Sequence, residues 1–438
     1  MRFISTRGGQ EADLIGAIMQ GLAEDGGLFV PDMLPRIDAS SIGGESLPEI
    51  ATELLTPFFA DTLLERELPD ICRDALDFPV ILRDLRGEPE PLAVLELFHG
   101  PTAAFKDVGA RFLAAVMERA LPKLGDDDLR PVTILVATSG DTGGAVAAAF
   151  HRRENVRVGV FFPEGQVSPR QQHQLCCWGD NVRAFEVAGS FDDCQALVKT
   201  AFQDPVLSNE LRLSAANSIN LGRLLPQLAY HAAASIWHQR RYGGRLNCIV
   251  PTGNLGNALA CMWARSMGFP IGRIVLAVNE NLTIPDYLST GEWRPRPSRA
   301  TLASAMDVGD PSNMERLRHL VPDFGELRAA VAAHPVDDAA IRAQIAKDYE
   351  TLGEVWCPHT ATGFHAYDRL PETERKGLAW SVCATAHPAK FETIVEPIIG
   401  RPIEVPDALA RILELPAESL PLPPAIGALR EALADWVP

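Results

Sequence analysis

Lys106 lies in the stretch FHGPTAAFKDVGARF, Phe98 to Phe112, between Phe105 and Asp107. From Gly100 the spacing imitates the phosphate loop G-x-x-x-x-G-K-[ST]. However, Phe105 stands where the second glycine belongs and Asp107 where the hydroxyl belongs. A phenyl ring blocks the close backbone approach a phosphate needs, and a carboxylate repels it. Two readings remain for Lys106: a lysine on the exposed start of a helix, or an amine held for covalent chemistry. Three other stretches follow apolar runs. In ATSGDTGGAV, the residues Thr138, Ser139, Gly140, Asp141 and Thr142 lead a strand into a helix. Glycines permit the tight turn, and free N–H groups at the helix start favour an anion such as a carboxylate. A plain N-cap by Asp141 or Thr142 is the alternative. In VPTGNLGNALA, the residues Gly253, Asn254, Leu255, Gly256 and Asn257 make a glycine-rich turn of the kind that cradles a phosphate. Both glycines are expected to be required there. The turn is not G-x-G-x-x-G, so a dinucleotide site is unsupported. In CATAHPAKF, Thr385 offers a hydroxyl at the end of a buried strand, which by itself also describes an ordinary strand end.

Positioning such turns requires a regular scaffold, and the sequence from about residue 90 supplies one. The runs PLAVLEL, PVTILVAT, VRVGVFF, VRAFEVA, NCIVPTG, RIVLAVN and WSVCATA read as strands. Helix-length segments such as INLGRLLPQLAYHAAASIWHQRR separate them. Near-continuous apolar strands alternating with helices predict a mostly parallel sheet covered on both faces. Ligands of such sheets sit at the carboxyl ends of strands, where all four stretches fall. Residues 10–80 read as helical with little β signal. The expected division is a mostly helical N-terminal domain, residues 1–85, and a catalytic core, residues 86–438, of two lobes, the smaller at roughly 130–215. The proline- and charge-rich segment 281–345 resists assignment.

The chain has 438 residues, 47% hydrophobic and 22% charged, with a net charge of −17. That charge argues against nucleic acid or an acidic membrane as partner, and means an anionic substrate needs a local positive site. No run of about 18 apolar residues and no secretory h-region is visible. Eight cysteines are scattered without a C-x-x-C pair, which reads as reduced thiols in a cytoplasmic protein. No paired-histidine motif appears, and no metal is expected.

Together, a lysine near a sheet crevice, a phosphate cradle, an anion turn and a buried hydroxyl fit pyridoxal 5'-phosphate. Phe105 and Asp107 would then position the amine. The ordered motifs FISTRG, QGLAEDGGLFVP, LELFHGPTAAFKDVGARF, TILVATSGDTGGAV, NSINLGRLLPQ, PTGNLGN, LASAMDVGDPSN and TAHPAKF resemble the threonine synthase family, in its bacterial and fungal branch. The resemblance implies the tryptophan-synthase β-like fold (fold type II), an α/β architecture of two open parallel-sheet lobes with a mostly helical N-terminal domain. It implies conversion of O-phospho-L-homoserine and water to L-threonine and phosphate. Lys106 resembles the Schiff-base lysine, and Gly253–Asn257 the loop for the cofactor's phosphate, with Leu255 where phenylalanine is frequent. Thr138–Thr142 resembles the substrate-carboxylate loop, with Asp141 where many relatives of the fold carry asparagine. Thr385 resembles the partner of the pyridine nitrogen. Asn217 and Arg223 in NSINLGR resemble the residues that hold the substrate's phosphate. The expected assembly is a monomer or weak homodimer. Alternatives are another enzyme of the same cofactor fold, such as a threonine dehydratase, or a non-catalytic metabolite-binding relative. Only the phosphohomoserine reading requires a second phosphate site.

Overall fold

The computed structural model describes residues 1–125 and 130–436. Three short strands, β1 (Phe3–Ser5), β2 (Glu11–Ala12) and β3 (Phe29–Pro31), form an antiparallel sheet in the order β2-β1-β3. The helices Leu14–Gln20, Leu47–Phe59 and Leu68–Ala75 accompany them. The expectation of a mostly helical start therefore needs this sheet added. Strands of two or three residues are too short to show an alternation of apolar and polar positions.

The larger sheet contains β4 (Ile81–Arg86), β5 (Leu92–Glu96), β10 (Leu246–Pro251), β11 (Ile271–Val278), β12 (Val331–Pro335) and β13 (Trp380–Ala384), in the order β12-β11-β10-β13-β5-β4. All neighbours are parallel except β4, which runs antiparallel to β5 at the edge. The smaller sheet contains β6 (Val132–Ala137), β7 (Val156–Pro163), β8 (Val182–Val187), β9 (Leu213–Ser214) and β14 (Leu420–Leu422), all parallel, in the order β14-β8-β7-β6-β9. Strands β5, β6, β10 and β13 are buried at every position, which is why they read as unbroken apolar runs. The C-terminal β14 belongs to the smaller lobe, beyond the range expected for it. Leu-Pro-Leu carries almost no strand signal, and proline is tolerated there because β14 is an edge strand.

One hydrophobic cluster runs from the N-terminal elements into both lobes. It joins Phe3, Phe29, Leu54 and Phe58 to Phe112, Leu225, Trp263 and Cys383. The N-terminal elements are thereby packed on the helices Lys106–Ala120 and Leu221–Tyr242, which carry two of the candidate site residues. The segment 281–345 holds the helices Thr283–Thr290, Met314–Leu320 and Phe324–Ala330, then β12 and the first half of the helix Asp338–Leu352. None of the helices is long and apolar enough to cross a membrane among the described residues.

Candidate active site

Four strand ends deliver the candidate residues to one crevice. Lys106 is the first residue of its helix, after the loop that follows β5. That loop is stitched to the turn after β13: the Phe105 N–H donates to the Thr385 carbonyl at 2.8 Å, and Ala104 bridges Ala386. Lys106 and Thr385 are thus neighbours although far apart in sequence. Asp107 faces backwards. Its carboxylate accepts the Thr102 N–H at 2.9 Å and the Thr102 hydroxyl at 2.6 Å. It therefore positions the amine by closing the turn that precedes it. Protein surrounds Lys106, yet the side chain keeps accessible surface, as expected of an amine facing an internal cleft. Burial lowers its pKa to about 8; Asp141 opposes that shift, and Arg223 and Lys390 add to it.

In the smaller lobe, the turn after β6 folds onto itself. Thr138 Oγ1 accepts the N–H groups of Gly140 at 3.0 Å and Gly143 at 2.9 Å. Gly140 has a φ of 142°, and a Cβ there would stand 2.6 Å from Gln171 Nε2, so glycine is required on both counts. Ser139 and Thr142 keep partial exposure at the start of the helix Asp141–Phe150. Asp141 is buried, 4% exposed. It accepts from Gln171 Nε2 at 2.9 Å and pairs with Lys390 Nζ at 2.7 Å. Burial pushes its carboxyl up, but the ammonium groups of Lys390 and Lys106 outweigh that and hold it well below the usual carboxylate range. It is therefore a carboxylate at all working pH values.

In the larger lobe, the turn after β10 leads into the helix Gly256–Met267. The left-handed residue is Leu255, with φ 62°, rather than either glycine. Such a conformation costs a non-glycine residue of order 1–3 kcal/mol and clusters at ligand sites. A Cβ on Gly253 would meet Met306 Cα at 2.6 Å, whereas one on Gly256 would find nothing nearer than 3.7 Å. Within the protein itself only Gly253 is therefore sterically required; the surroundings of Gly256 leave room for a methyl group. The segment 301–313 presses on this turn from behind. The Ser312 N–H donates to Asn254 Oδ1 at 2.6 Å, and Asn313 Nδ2 donates to the Asn254 carbonyl at 3.0 Å. Asn254 Nδ2 in turn donates to Ser218 Oγ at 2.6 Å. The Asn254 side chain thus braces the turn. Asn257 Oδ1 accepts from Tyr230 OH at 2.7 Å and lies 2.8 Å from His231 Nε2. This leaves Asn257 Nδ2 buried without a partner among the described residues. His231 Nδ1 likewise has none, and a ring nitrogen of His231 lies with the Cys248 and Cys261 thiols, the three atoms being within 4.8 Å of one another.

Arg223 begins the Leu221 helix and is 3% exposed. Its Nη1 donates to the Ala216 carbonyl at 2.5 Å, while Nε has no partner among the described residues. Gly109, one turn after Lys106, makes room for it: a Cβ there would stand 2.9 Å from Arg223 Nε. Burial lowers its pKa to about 10, with Asp107 opposing, so it remains a cation. The Asn217 side-chain oxygen nearby is also buried without a partner. Buried polar atoms are nearly always satisfied, so such orphans mark where a ligand's polar atoms belong.

Sequence reasoning missed Lys390, which is fully buried, and His359. His359 lies in the first turn of the helix Pro358–Asp368. Burial lowers its pKa to about 4, and its Nε2 accepts the Ala305 N–H at 3.0 Å, so it is neutral. Lys390 sits five residues after Thr385 in TAHPAKF, so the motif was visible, but its carboxylate partner lies in the other lobe. The polar residues fit pyridoxal phosphate: a cleft-facing lysine of lowered basicity, a braced turn with a spare amide N–H, and a hydroxyl residue beside the lysine.

The comparisons agree with this geometry. The family model described as "Pyridoxal-phosphate dependent enzyme" matches residues 82–382. "Threonine synthase N terminus" matches residues 2–76, and "Threonine synthase, C-terminal" matches 360–433. The chain is 39% identical to the threonine synthase of Serratia marcescens, over 97% of this chain and 96% of that one. It is 38% identical to that of Escherichia coli (strain K12), over 97% of each. The crystal structure of threonine synthase from Escherichia coli superposes with a TM-score of 0.89 and 36% identity, covering 99% of this chain and 100% of the other. The pyridoxal-phosphate-bound threonine synthase of Brucella melitensis gives 0.89 at 32% identity, covering 100% and 99%. Maize serine racemase, 17% identical with a TM-score of 0.52, shares the fold.

Proposed function

Since the chain belongs to the threonine synthase family of pyridoxal-phosphate-dependent enzymes, we propose that its crevice is divided between two phosphates, one of the cofactor and one of the substrate. The activity is that of a threonine synthase, the conversion of O-phospho-L-homoserine and water to L-threonine and phosphate. Bound in the crevice, pyridoxal phosphate supplies the electron sink that makes hydrogens on the substrate's carbons acidic.

The roles of the protein's own residues follow from their placement. Lys106 carries the cofactor through Nζ. With a basicity lowered to about 8, the same amine can take a proton from the substrate's Cα and return it at a neighbouring carbon. The Gly253–Asn257 turn, with its backbone donors and the spare Asn257 Nδ2, receives the cofactor's phosphate. Thr385 faces the pyridine nitrogen with a neutral hydroxyl. Ser139, Asp141 and Thr142 receive the substrate's carboxylate through N–H groups at the start of the Asp141 helix, while Gly140, whose own N–H is taken by Thr138, shapes the turn. Arg223 and Asn217 hold the substrate's phosphate, where a guanidinium offers a planar fork to phosphate oxygens. The N-terminal unit, residues 1–85, covers the two-lobed core, residues 86–438, with three helices and a small sheet, gives most of β4 to the larger sheet, and contributes none of these side chains.

The observation that carries the reading is the orphan donor Arg223 Nε, buried without a partner among the described residues beside Gly109, one helical turn from Lys106. A dehydratase has no use for a second phosphate seat. Inorganic phosphate should therefore inhibit competitively against phosphohomoserine. Arg223→Ala should weaken that inhibition while the bound cofactor's visible absorption stays normal. Equal inhibition in both proteins would reject this seat.

A further inference from the structure

Asp141 raises a question that its position in the turn does not answer. A carboxylate stands beside Lys106 where a neutral amide would serve the same geometry, and an unpaired buried carboxylate is costly. Its charge is met by Lys390. The Lys390 ammonium is fully buried and has two fixed acceptors, Asp141 Oδ1 at 2.7 Å and the Thr102 carbonyl at 2.7 Å. Gln174 Nε2 donates to the same Thr102 carbonyl at 3.2 Å, and Gln171 Nε2 donates to the same Asp141 oxygen at 2.9 Å. The backbone of the Lys390 segment is gripped by the smaller lobe as well. Ser168 Oγ donates to the Lys390 carbonyl at 2.9 Å, and Arg170 Nη1 donates to the Ala389 carbonyl at 2.7 Å. Lys390 follows β13 of the larger sheet and Asp141 follows β6 of the smaller, so the ion pair bridges the lobes at the crevice.

We propose that Lys390 is a positioning residue of this site: it pins Asp141 across the lobes and offsets part of that carboxylate's pull on the Lys106 ammonium, which helps Lys106 give up its proton. This rests on Lys106 being the cofactor-bearing lysine. A bare carboxylate at position 141 would hold Lys106 as an ammonium, useless as nucleophile or base. It would also repel a substrate carboxylate entering the Ser139–Thr142 turn. Pairing with Lys390 weakens both effects while leaving a hydrogen-bond acceptor beside the amine.

Of the other groups around Lys106, only Arg223 adds to this balance, and it does not touch Asp141. Arg223, from the Leu221 helix, is a cation whose Nη1 is held by Ala216. Asp107, on the Lys106 helix, is occupied by Thr102, and burial pushes its carboxyl up. His359, from the Pro358 helix, is neutral. Burial acts most strongly on Lys106; Asp141 favours its ammonium and both Arg223 and Lys390 disfavour it, Lys390 being the cation paired directly with Asp141.

The test reads Lys106 directly. Pyridoxal phosphate is added to the full chain freed of cofactor, across about pH 6 to about pH 10. The rate of borohydride-fixed label appearing on Lys106 is followed by mass spectrometry. For the native chain the rate should rise with a midpoint at about 8. Lys390→Met should move the midpoint up by about one pH unit or more, and Asp141→Asn should move it down. The double variant should return towards the native midpoint, and Lys390→Arg should stay close to it. Opposite shifts that cancel are an electrostatic signature that loosened packing does not produce. If Lys390→Met does not fold, Asp141→Asn and the double variant decide. Midpoints that fail to move, or that move in one direction in both single variants, overturn the proposal. Label on a different lysine would instead overturn the reading on which it rests.

Discussion

Two glycine-rich turns, one in each lobe, have nearly the same sequence texture and opposite construction. The smaller lobe's turn, Thr138–Thr142, is closed inward: Thr138 Oγ1 takes the N–H groups of Gly140 and Gly143, and the Asp141 carboxylate is matched by Gln171 and Lys390. The larger lobe's turn, Gly253–Asn257, is braced from behind by Ser312, Asn313, Ser218, Tyr230 and His231. Its spare donor, Asn257 Nδ2, is left over. A glycine-rich strand-to-helix turn thus does not define a ligand site; the donors left unmatched do. The same contrast separates the two buried cations. Lys390 has both of its acceptors in the protein and acts on protein groups, whereas Arg223 keeps an unpaired N–H for a ligand.

Lys106→Ala tests the frame common to both turns and should have the largest effect. Turnover should be lost, along with borohydride-fixed cofactor in the peptide containing position 106. Persistent fixed cofactor would put the anchor elsewhere. Next comes Gly253→Val, which drives a side chain into the Met306 backbone. It should abolish cofactor retention on dialysis, while Gly256→Ala retains it within a few-fold, since a methyl there meets only ordinary contacts. Equal loss in both would mean that the turn is set by backbone flexibility rather than by close approach.

Arg223→Ala removes a charge-assisted contact worth roughly 1.5–3 kcal/mol, so kcat/KM for phosphohomoserine should fall about 10- to 100-fold with cofactor content unchanged. Loss of cofactor in this variant would assign Arg223 to the wrong phosphate. The smallest effect is expected of Tyr230→Phe, which deletes one of the two hydrogen bonds that orient Asn257. A neutral hydrogen bond is worth about 1 kcal/mol, so cofactor affinity should weaken by about five-fold, read by fluorescence titration. Unchanged affinity would mean that His231 alone fixes the amide.

The scaffold was legible because buried parallel strands cannot alternate. The seven runs from PLAVLEL to WSVCATA each overlap an observed strand, and the carboxyl ends of four of these strands, β5, β6, β10 and β13, lead into candidate residues. What could not be read was pairing over distance. Lys390 and Asp141 lie in separate motifs, and nothing local to either shows that one neutralises the other. The segment 281–345 was opaque for a different reason. Its loops are held by polar contacts instead of an apolar stripe: Asn279 and Thr301 both donate to Asp307 Oδ1, at 2.7 Å, and burial pushes Asp307 up to about 7. The result is the Met306 wall behind Gly253, which no periodicity could announce. The short strands β1, β2, β3 and β14 escaped notice because two or three residues carry no period.

The central claim is that this crevice handles two phosphates and releases one of them. The most direct measurement is product analysis of the purified protein with pyridoxal phosphate and O-phospho-L-homoserine, following phosphate colorimetrically and amino acids by chromatography. The account predicts equal amounts of L-threonine and phosphate, with no 2-oxo acid. Formation of a 2-oxo acid and ammonia from threonine, with phosphohomoserine left intact, would contradict it.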